Sequence, residues 1–202
     1  MAEGKLIVFE GLDKSGKETQ SKMLTEYLRN KGIECIYTEE PTPYNVFGKT
    51  IKEWLDRKFE IQSGKSIALL YTADRYEHMK SLILPKLAEG TTVICDRYFY
   101  STIAYQSVLY GVEQEWIMEL NRFARKPDIT IFIDIPPEES VRRARTTDRH
   151  ENLEFQVKVK KAYDELVKKH GFVVIDGNRS REDVFIDVRK AVMHIFESER
   201  GK

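Results

Sequence analysis

The sequence predicts an α/β fold of three layers, a five-stranded parallel sheet with helices on both faces. Three observations predict it. Short apolar, β-branched runs alternate with longer segments of helical spacing along the whole chain. The first of these runs leads directly into a glycine-bounded turn and then a helix. Every run also ends in polar, chemically capable residues, as in open sheets whose ligands sit beyond the carboxyl ends of the strands.

The first strand is Leu6–Phe9, inside the run Lys5–Glu10, and Gly11 closes it with a tight turn. From Thr19 onward Met23, Leu24, Tyr27 and Leu28 recur at helical spacing. Cys35–Tyr37 reads as the second strand, followed by Thr38-Glu39-Glu40 and a loop marked by Pro41 and Pro43. Ser66–Leu87 has helical spacing. The third strand, Thr92–Cys95, runs into Asp96-Arg97-Tyr98, with Ser101, Tyr105 and Gln106 one helical turn beyond. Ile129–Ile135 is the fourth strand, stopped by Pro136 and Pro137, and Phe172–Ile175 the fifth, leading into Asp176-Gly177-Asn178-Arg179. Helical spacing returns in Glu138–Arg145 and Leu153–Lys169. No repeat, low-complexity tract or linker interrupts the pattern, so the 202 residues read as one domain, 1–202.

Lys+Arg and Asp+Glu balance at 33 each, so no global basic field exists to hold nucleic acid, and any phosphate binding is local. No run approaches the ~20 apolar residues that span a membrane, and a cytoplasmic protein is expected. Cys35 and Cys95 fall inside strand-like runs and are expected in the core. His78, His150, His170 and His194 lack metal-ligand spacing and are expected as surface or lid residues.

Gly11-Leu12-Asp13-Lys14-Ser15-Gly16-Lys17 is a phosphate-binding loop of the Gly-x4-Gly-Lys type, which makes the expected architecture a P-loop NTPase fold. Unpaired backbone N–H groups at the N-terminus of the following helix attract phosphate oxygens. Gly11 and Gly16 let the backbone come close, and Lys17 reaches the β- and γ-phosphates. Glu18 departs from the pattern, standing where a Ser or Thr hydroxyl normally meets magnesium, and Thr19 comes one residue late. A carboxylate can ligate magnesium. It also adds a negative charge beside the phosphates, and like charges ~4 Å apart at an effective dielectric of ~20 cost about 4 kcal/mol before the metal compensates.

Two further clusters complete the chemistry. At the third strand end, Asp96 can hold a magnesium-bound water and Arg97 can clamp a second phosphate bidentately. Tyr71 and Arg75, four residues apart, share a helix face where an aromatic ring can stack a base and a guanidinium can donate to a base carbonyl.

With these residues in view the chain resembles the thymidylate kinase family of P-loop nucleoside monophosphate kinases. The resemblance is carried by Phe9-Glu10-Gly11-Leu12-Asp13 before Gly16-Lys17, by Glu39-Glu40-Pro41, and by Tyr71 through Arg75. It continues through Asp96-Arg97-Tyr98 with Ser101, Ala104, Tyr105 and Gln106, then Pro127-Asp128, and Asp148-Arg149 with Glu151, Phe155, Val159 and Tyr163. It implies phosphoryl transfer from ATP to dTMP with Mg2+, and a homodimer. It also implies site roles. Asp13 would meet the sugar 3′-hydroxyl, Tyr71 would stack on thymine, and Arg75 would bond O4. Ser101 and Gln106 would read N3, Tyr105 would lie against the deoxyribose, and Arg97 would hold the acceptor phosphate. Lys17 and Lys14 would hold donor phosphates with the rest of Gly11–Thr19, and Asp96 and Glu18 would face the metal. A short lid at about 142–150 would bring Arg143, Arg145 and Arg149 over ATP, with Arg145 and Arg149 acting in catalysis and Arg179 on the adenine side. Two other readings stay open from the residues alone: a same-fold kinase of another pyrimidine acceptor such as dUMP, and a nucleotide-binding protein weakened by Glu18.

Overall fold

The computed structural model describes residues 3–144 and 152–200, with side chains as far as Phe196. Within them, five strands form one parallel sheet in the order β2-β3-β1-β4-β5. They are β1 (Leu6–Glu10), β2 (Cys35–Glu39), β3 (Thr92–Asp96), β4 (Ile129–Asp134) and β5 (Val173–Asp176). The expected architecture is therefore present. The first three strands run on beyond their apolar stretches to end at Glu10, Glu39 and Asp96, while Ile135 and Phe172 fall outside the sheet.

The helices are α1 (Lys17–Asn30), α2 (Val46–Leu55), α3 (Gly64–His78), α4 (Leu84–Ala88), α5 (Phe99–Tyr110), α6 (Gln114–Leu120), α7 (Pro137–Arg143), α8 (Leu153–His170) and α9 (Arg181–Arg200). Alternation along β1 feeds both faces of the sheet. Leu6 and Val8 join a core with Ile103 of α5 and Val159 and Tyr163 of α8. Ile7 and Phe9 join a second core, where Leu24 and Leu28 of α1 meet Val184, Val188 and Val192 of α9. That valine spacing is one stripe of a helix.

The stretch expected as a single helix over Ser66–Leu87 is interrupted. Between α3 and α4 the chain makes a π-helical turn at Met79–Ile83. Pro85 explains it. Its ring has no N–H and would meet the carbonyl four residues earlier, at Ser81, in an unbroken α-helix, and the wider turn accommodates it. The helices at 46–55, 114–120 and 181–200 have no counterpart in the sequence reading. For α2 the reason is long-range: buried Asp74 on α3 accepts from Thr42 N at 2.9 Å and from Asn45 Nδ2 at 2.6 Å, and Asn45 in turn caps α2 through Gly48 N at 2.9 Å.

The chain passes from β3 across β1 to β4, so the carboxyl ends of β1 and β3 flank a crevice. Both sequence clusters open into it.

Candidate active site

Gly11 leaves β1 at φ 149°. A Cβ there would lie 2.6 Å from the Ile133 carbonyl oxygen and 2.9 Å from Ser15 Oγ, so only glycine fits. Gly16, at φ 97°, turns the chain into α1 as its N-cap residue. Lys17 folds back over the loop, donating from Nζ to the Leu12 carbonyl at 2.6 Å and to Ser15 Oγ at 3.4 Å. Burial, and then the Arg97 charge, push this ammonium down to about 8. Lys14 stands exposed at the loop crest with φ 59°.

Glu18 points outward. Its carboxylate is 61% exposed and pairs with Lys22 one turn along α1 at 2.5 Å, while Thr19 is exposed beside it. Asp96 is the contrasting carboxylate: its Oδ1 is buried with no hydrogen-bond partner, and burial raises its pKa.

Arg97 joins the loop to the second cluster. It occupies the left-handed region at φ 69°, a costly conformation for a non-glycine residue that recurs at functional sites. Nη1 donates to the Gly11 carbonyl at 3.3 Å and to Ser101 Oγ at 3.0 Å, and Nη2 donates to the Asp13 carboxylate. The guanidinium also lies 5.1 Å from the centre of the Tyr105 ring. Asp13, Tyr71, Arg75 and Arg97 line one cavity together with Ser101, Tyr105 and Gln106. Every residue that the resemblance assigns to the acceptor is thus in one wall. Glu40, Pro41, Leu55, Tyr98 and Thr102 complete it.

Four atoms of this wall are buried without a hydrogen-bond partner: Glu40 Oε2, the Tyr98 hydroxyl, the Nε of Arg75 and the Oε1 of Gln106, of which the last two pair a nitrogen with a carbonyl oxygen. Of these two, one is a donor and the other an acceptor. Ser101 is more committed, since its hydroxyl donates to Glu10 Oε2 at 2.5 Å and lies 2.9 Å from the Tyr163 hydroxyl.

The donor side is less complete. Arg143 donates to Glu139 at 2.6 Å and to the Gly177 carbonyl at 3.5 Å, reaching the loop after β5. Arg179, on that loop, is held by Asp187 at 2.7 Å and by the Asp176 carbonyl at 3.1 Å. Arg145 and Arg149 lie outside the described residues.

Several important residues escaped the sequence reading. Glu10 is fully buried at the end of β1 and accepts from Tyr98 N at 3.0 Å, Ser101 N at 3.2 Å and the Tyr163 hydroxyl at 3.0 Å. Its signal was a carboxylate closing an otherwise apolar strand. Ser140 donates to the Asp13 carbonyl at 2.7 Å, tying α7 to the phosphate loop. His78, expected at the surface or in a lid, is completely buried, because α3 packs its ring against the end of β2. A ring nitrogen of His78, a Glu40 oxygen and the Cys95 sulfur form the one group among the described residues with metal-ligand spacing. The Arg75 guanidinium, 2.7 Å from Glu40, already supplies the positive charge there, so the group reads as a polar network.

A family model described as Thymidylate kinase matches residues 9–188. The chain belongs to the thymidylate kinase family. It is 40% identical over 200 residues to a probable thymidylate kinase of Pyrococcus horikoshii, covering 95% of this chain and 97% of the relative. It is 42% identical over 189 residues to the Methanocaldococcus jannaschii counterpart, with coverage of 93% and 95%. A thymidylate kinase of Plasmodium falciparum is 36% identical over 197 residues, with coverage of 96% and 91%. The residue after Lys17 in this chain is Glu18 and not a hydroxyl side chain, and its carboxylate turns outward to Lys22.

Proposed function

We propose that this thymidylate kinase transfers the γ-phosphoryl group of ATP to dTMP, giving dTDP and ADP, and that it reads its acceptor through two of the unpartnered atoms of the pocket wall, Arg75 Nε and Gln106 Oε1. The 4-oxo, N3–H edge of thymine offers an acceptor beside a donor. Arg75 Nε and Gln106 Oε1 are a donor and an acceptor lining the same cavity, and that complementarity carries the reading. A 4-amino base presents the reverse pattern and leaves both buried groups unpaired, the arrangement that gives large discrimination. Tyr71 supplies a stacking face, Tyr105 crowds the sugar, and Asp13 faces the 3′-hydroxyl. Pro41 and Leu55 offer apolar surface for a 5-methyl group, where one methyl is worth ~1–3 kcal/mol.

No general base is required. The second pKa of a phosphate monoester is near 6, so the attacking oxygen is already deprotonated at neutral pH. Positioning and charge neutralisation do the rest. Lys17 trades the Leu12 carbonyl for donor phosphate oxygens, Lys14 adds charge from the loop crest, and Arg97 exchanges Asp13 for the acceptor phosphate. Arg145 and Arg149, in a lid at about 142–150 of a single domain 1–202, would close over ATP with Arg143, and Arg179 would border the adenine.

Magnesium fits the residues present. The orphaned Asp96 Oδ1 is a hard oxygen whose carboxylate acts on the charge of Lys17, able to hold the ion or its water, and Glu18 is the second carboxylate proposed for the ion. Bound there, Mg2+ would neutralise charge on the transferring phosphate.

A homodimer is part of this proposal, supported by Tyr44, Val46, Leu69 and Leu84, apolar side chains left exposed on and beside α2, α3 and α4. A cytoplasmic location is supported by two free cysteines in the core, and none of the described helices is long and apolar enough to cross a membrane. A coupled assay with ATP, Mg2+ and a panel of dTMP, dUMP, 5-methyl-dCMP and dGMP tests the function. The expected order places dTMP first, dUMP next, and the 4-amino and purine nucleotides far behind. Turnover of 5-methyl-dCMP equal to that of dTMP would overturn the base reading.

A further inference from the structure

Behind the base pocket a line of buried polar groups runs from β2 to the wall. Thr38 Oγ1 lies 2.8 Å from His78 Nε2, His78 Nδ1 lies 3.1 Å from Glu40 Oε1, and Glu40 Oε2 lies 2.7 Å from Arg75 Nη2. The side chains of His78, Glu40 and Arg75 are at most 2% exposed. His78 and Arg75 are three residues apart on α3, hence on one face, and they take one oxygen each of the same carboxylate. The Glu40 backbone is pinned as well, its N–H donating to the Asp96 carbonyl at 3.0 Å.

Both terminal nitrogens of the guanidinium have hydrogen-bond partners. Nη1 donates to Asn121 Oδ1 at 2.8 Å, Nη2 donates to Thr102 Oγ1 at 3.1 Å, and the plane rests 5.1 Å from the centre of the Tyr98 ring. Only Nε is without a partner. Arginine and carboxylate ordinarily prefer a two-toothed fork, with two parallel N–H···O bonds. Here the fork is not formed: Oε2 lies 2.7 Å from Nη2 as an ion pair but makes no hydrogen bond, and Oε1 is taken by His78 Nδ1 at 3.1 Å.

We propose that His78 is a positioning residue that sets base specificity: by donating from Nδ1 to Glu40 Oε1, it keeps that carboxylate from closing a fork on Arg75 and so reserves the Arg75 Nε–H for the 4-oxo group of the acceptor base. The Thr38 hydroxyl, donating to Nε2, fixes the tautomer that carries the proton on Nδ1. The inference rests on the base reading proposed above. Without the imidazole donor, Oε1 is a buried acceptor lacking its partner and the carboxylate is free to turn, and the unpartnered nitrogen on its ion-pair mate is Nε. The pocket then keeps its shape and charge but loses the group that distinguishes a carbonyl from an amine.

Two substitutions separate this from a general packing role. His78→Leu removes the donor, whereas His78→Asn places an amide N–H near the Nδ1 position. In His78→Leu the KM for dTMP should rise about tenfold or more, with kcat and the KM for ATP changed less than about threefold, and the preference for dTMP over 5-methyl-dCMP should narrow. His78→Asn should recover most of both effects. Thr38→Val, which keeps the shape of the side chain and frees the tautomer, should shift both readouts in the same direction by a smaller factor, and it carries the test where His78→Leu does not fold. Unchanged dTMP KM and base preference in His78→Leu or Thr38→Val would overturn the proposal, as would equal rises in the KM values for ATP and dTMP. A wild-type enzyme that itself fails to distinguish dTMP from 5-methyl-dCMP would instead overturn the base reading on which the proposal rests.

Discussion

Arg97 is bonded to Asp13 across the crevice, its Nη2 donating to the carboxylate while Nη1 reaches the Gly11 carbonyl at 3.3 Å. A single guanidinium at the end of β3 therefore touches the phosphate loop at the end of β1 and lines the cavity proposed for the acceptor. The Asp13 carboxylate is the anion that this guanidinium holds.

That arrangement uses the planar fork, which lysine does not possess. Arg97→Lys keeps the charge and loses the paired contacts. The expected loss in kcat/KM for dTMP is about 30- to 100-fold, equivalent to ~2–3 kcal/mol for a hydrogen bond between charged groups. Steady-state kinetics with varied dTMP measure it directly, and wild-type values would reduce Arg97 to a structural partner of Asp13.

Lys17 predicts a proton linkage. Its free-protein value of about 8 reflects burial and the Arg97 charge, and incoming phosphate oxygens raise it again. The ammonium is the form that binds phosphate, so ATP affinity should weaken as pH rises through about 8, with binding taking up protons there. Calorimetry in buffers of different ionisation enthalpy reads that uptake. Binding without proton uptake near that pH would remove Lys17 from the phosphate ligands.

Asp96 predicts a trade between stability and function. Its folded pKa is raised by burial, so the ionised form is disfavoured in the fold, and that penalty appears as pH rises through the folded value. Asp96→Asn should therefore raise the Tm of the ligand-free protein at pH 7 by about 2–4 °C, the shift that ~1 kcal/mol produces in a domain of this size. The gap should close as the pH falls toward the ordinary carboxylate value of 3.8. The same variant should lose most kinase activity and most of the added Tm that Mg2+ with ATP confers on the wild type. A variant less stable than the wild type at pH 7 would show that Asp96 has partners that satisfy it.

What the sequence disclosed follows a physical rule. Gly11, Gly16 and Lys17 were legible because a phosphate loop is local: its turn geometry and its lysine lie within seven consecutive residues, Gly11–Lys17. Tyr71 with Arg75, and Ser101 with Tyr105, were legible from helical spacing, Arg97 was legible from its place after a strand end, and the parallel sheet then brought these groups to one cavity. The pairing of His78 with Glu40 was not legible, since 38 residues separate them and only the packing of α3 on β2 joins them. Glu10 was hidden for a related reason. A carboxylate at the end of an apolar run carries no local mark of the Ser101, Tyr98 and Tyr163 donors that converge on it. The same holds for the π-helical turn, where periodicity read through Pro85 as though the helix were continuous.

Glu18 contradicts the family pattern, and its outward turn decides how. In a magnesium-binding loop the residue after the lysine normally offers a neutral hydroxyl to the ion. Here the carboxylate is 61% exposed and paired with Lys22, so the position beside Lys17 receives no protein oxygen from it, and Thr19, one residue on, is rotated by ~100° around the helix. Asp96, with its buried and unpartnered Oδ1, is the carboxylate proposed above for the metal. Recruiting Glu18 instead would break its pair with Lys22 and bring a second negative charge toward the phosphates. Glu18→Thr restores the hydroxyl and removes that charge, at the expense of an acidic side chain favoured in the first turn of α1. The variant should reach half-maximal activity at a Mg2+ concentration several-fold lower than the wild type, with a small decrease in Tm. A magnesium titration of turnover, alongside a thermal melt of both proteins without nucleotide, measures the two effects separately. Lower activity at every magnesium concentration would mean that Glu18 swings inward and ligates the ion during the reaction.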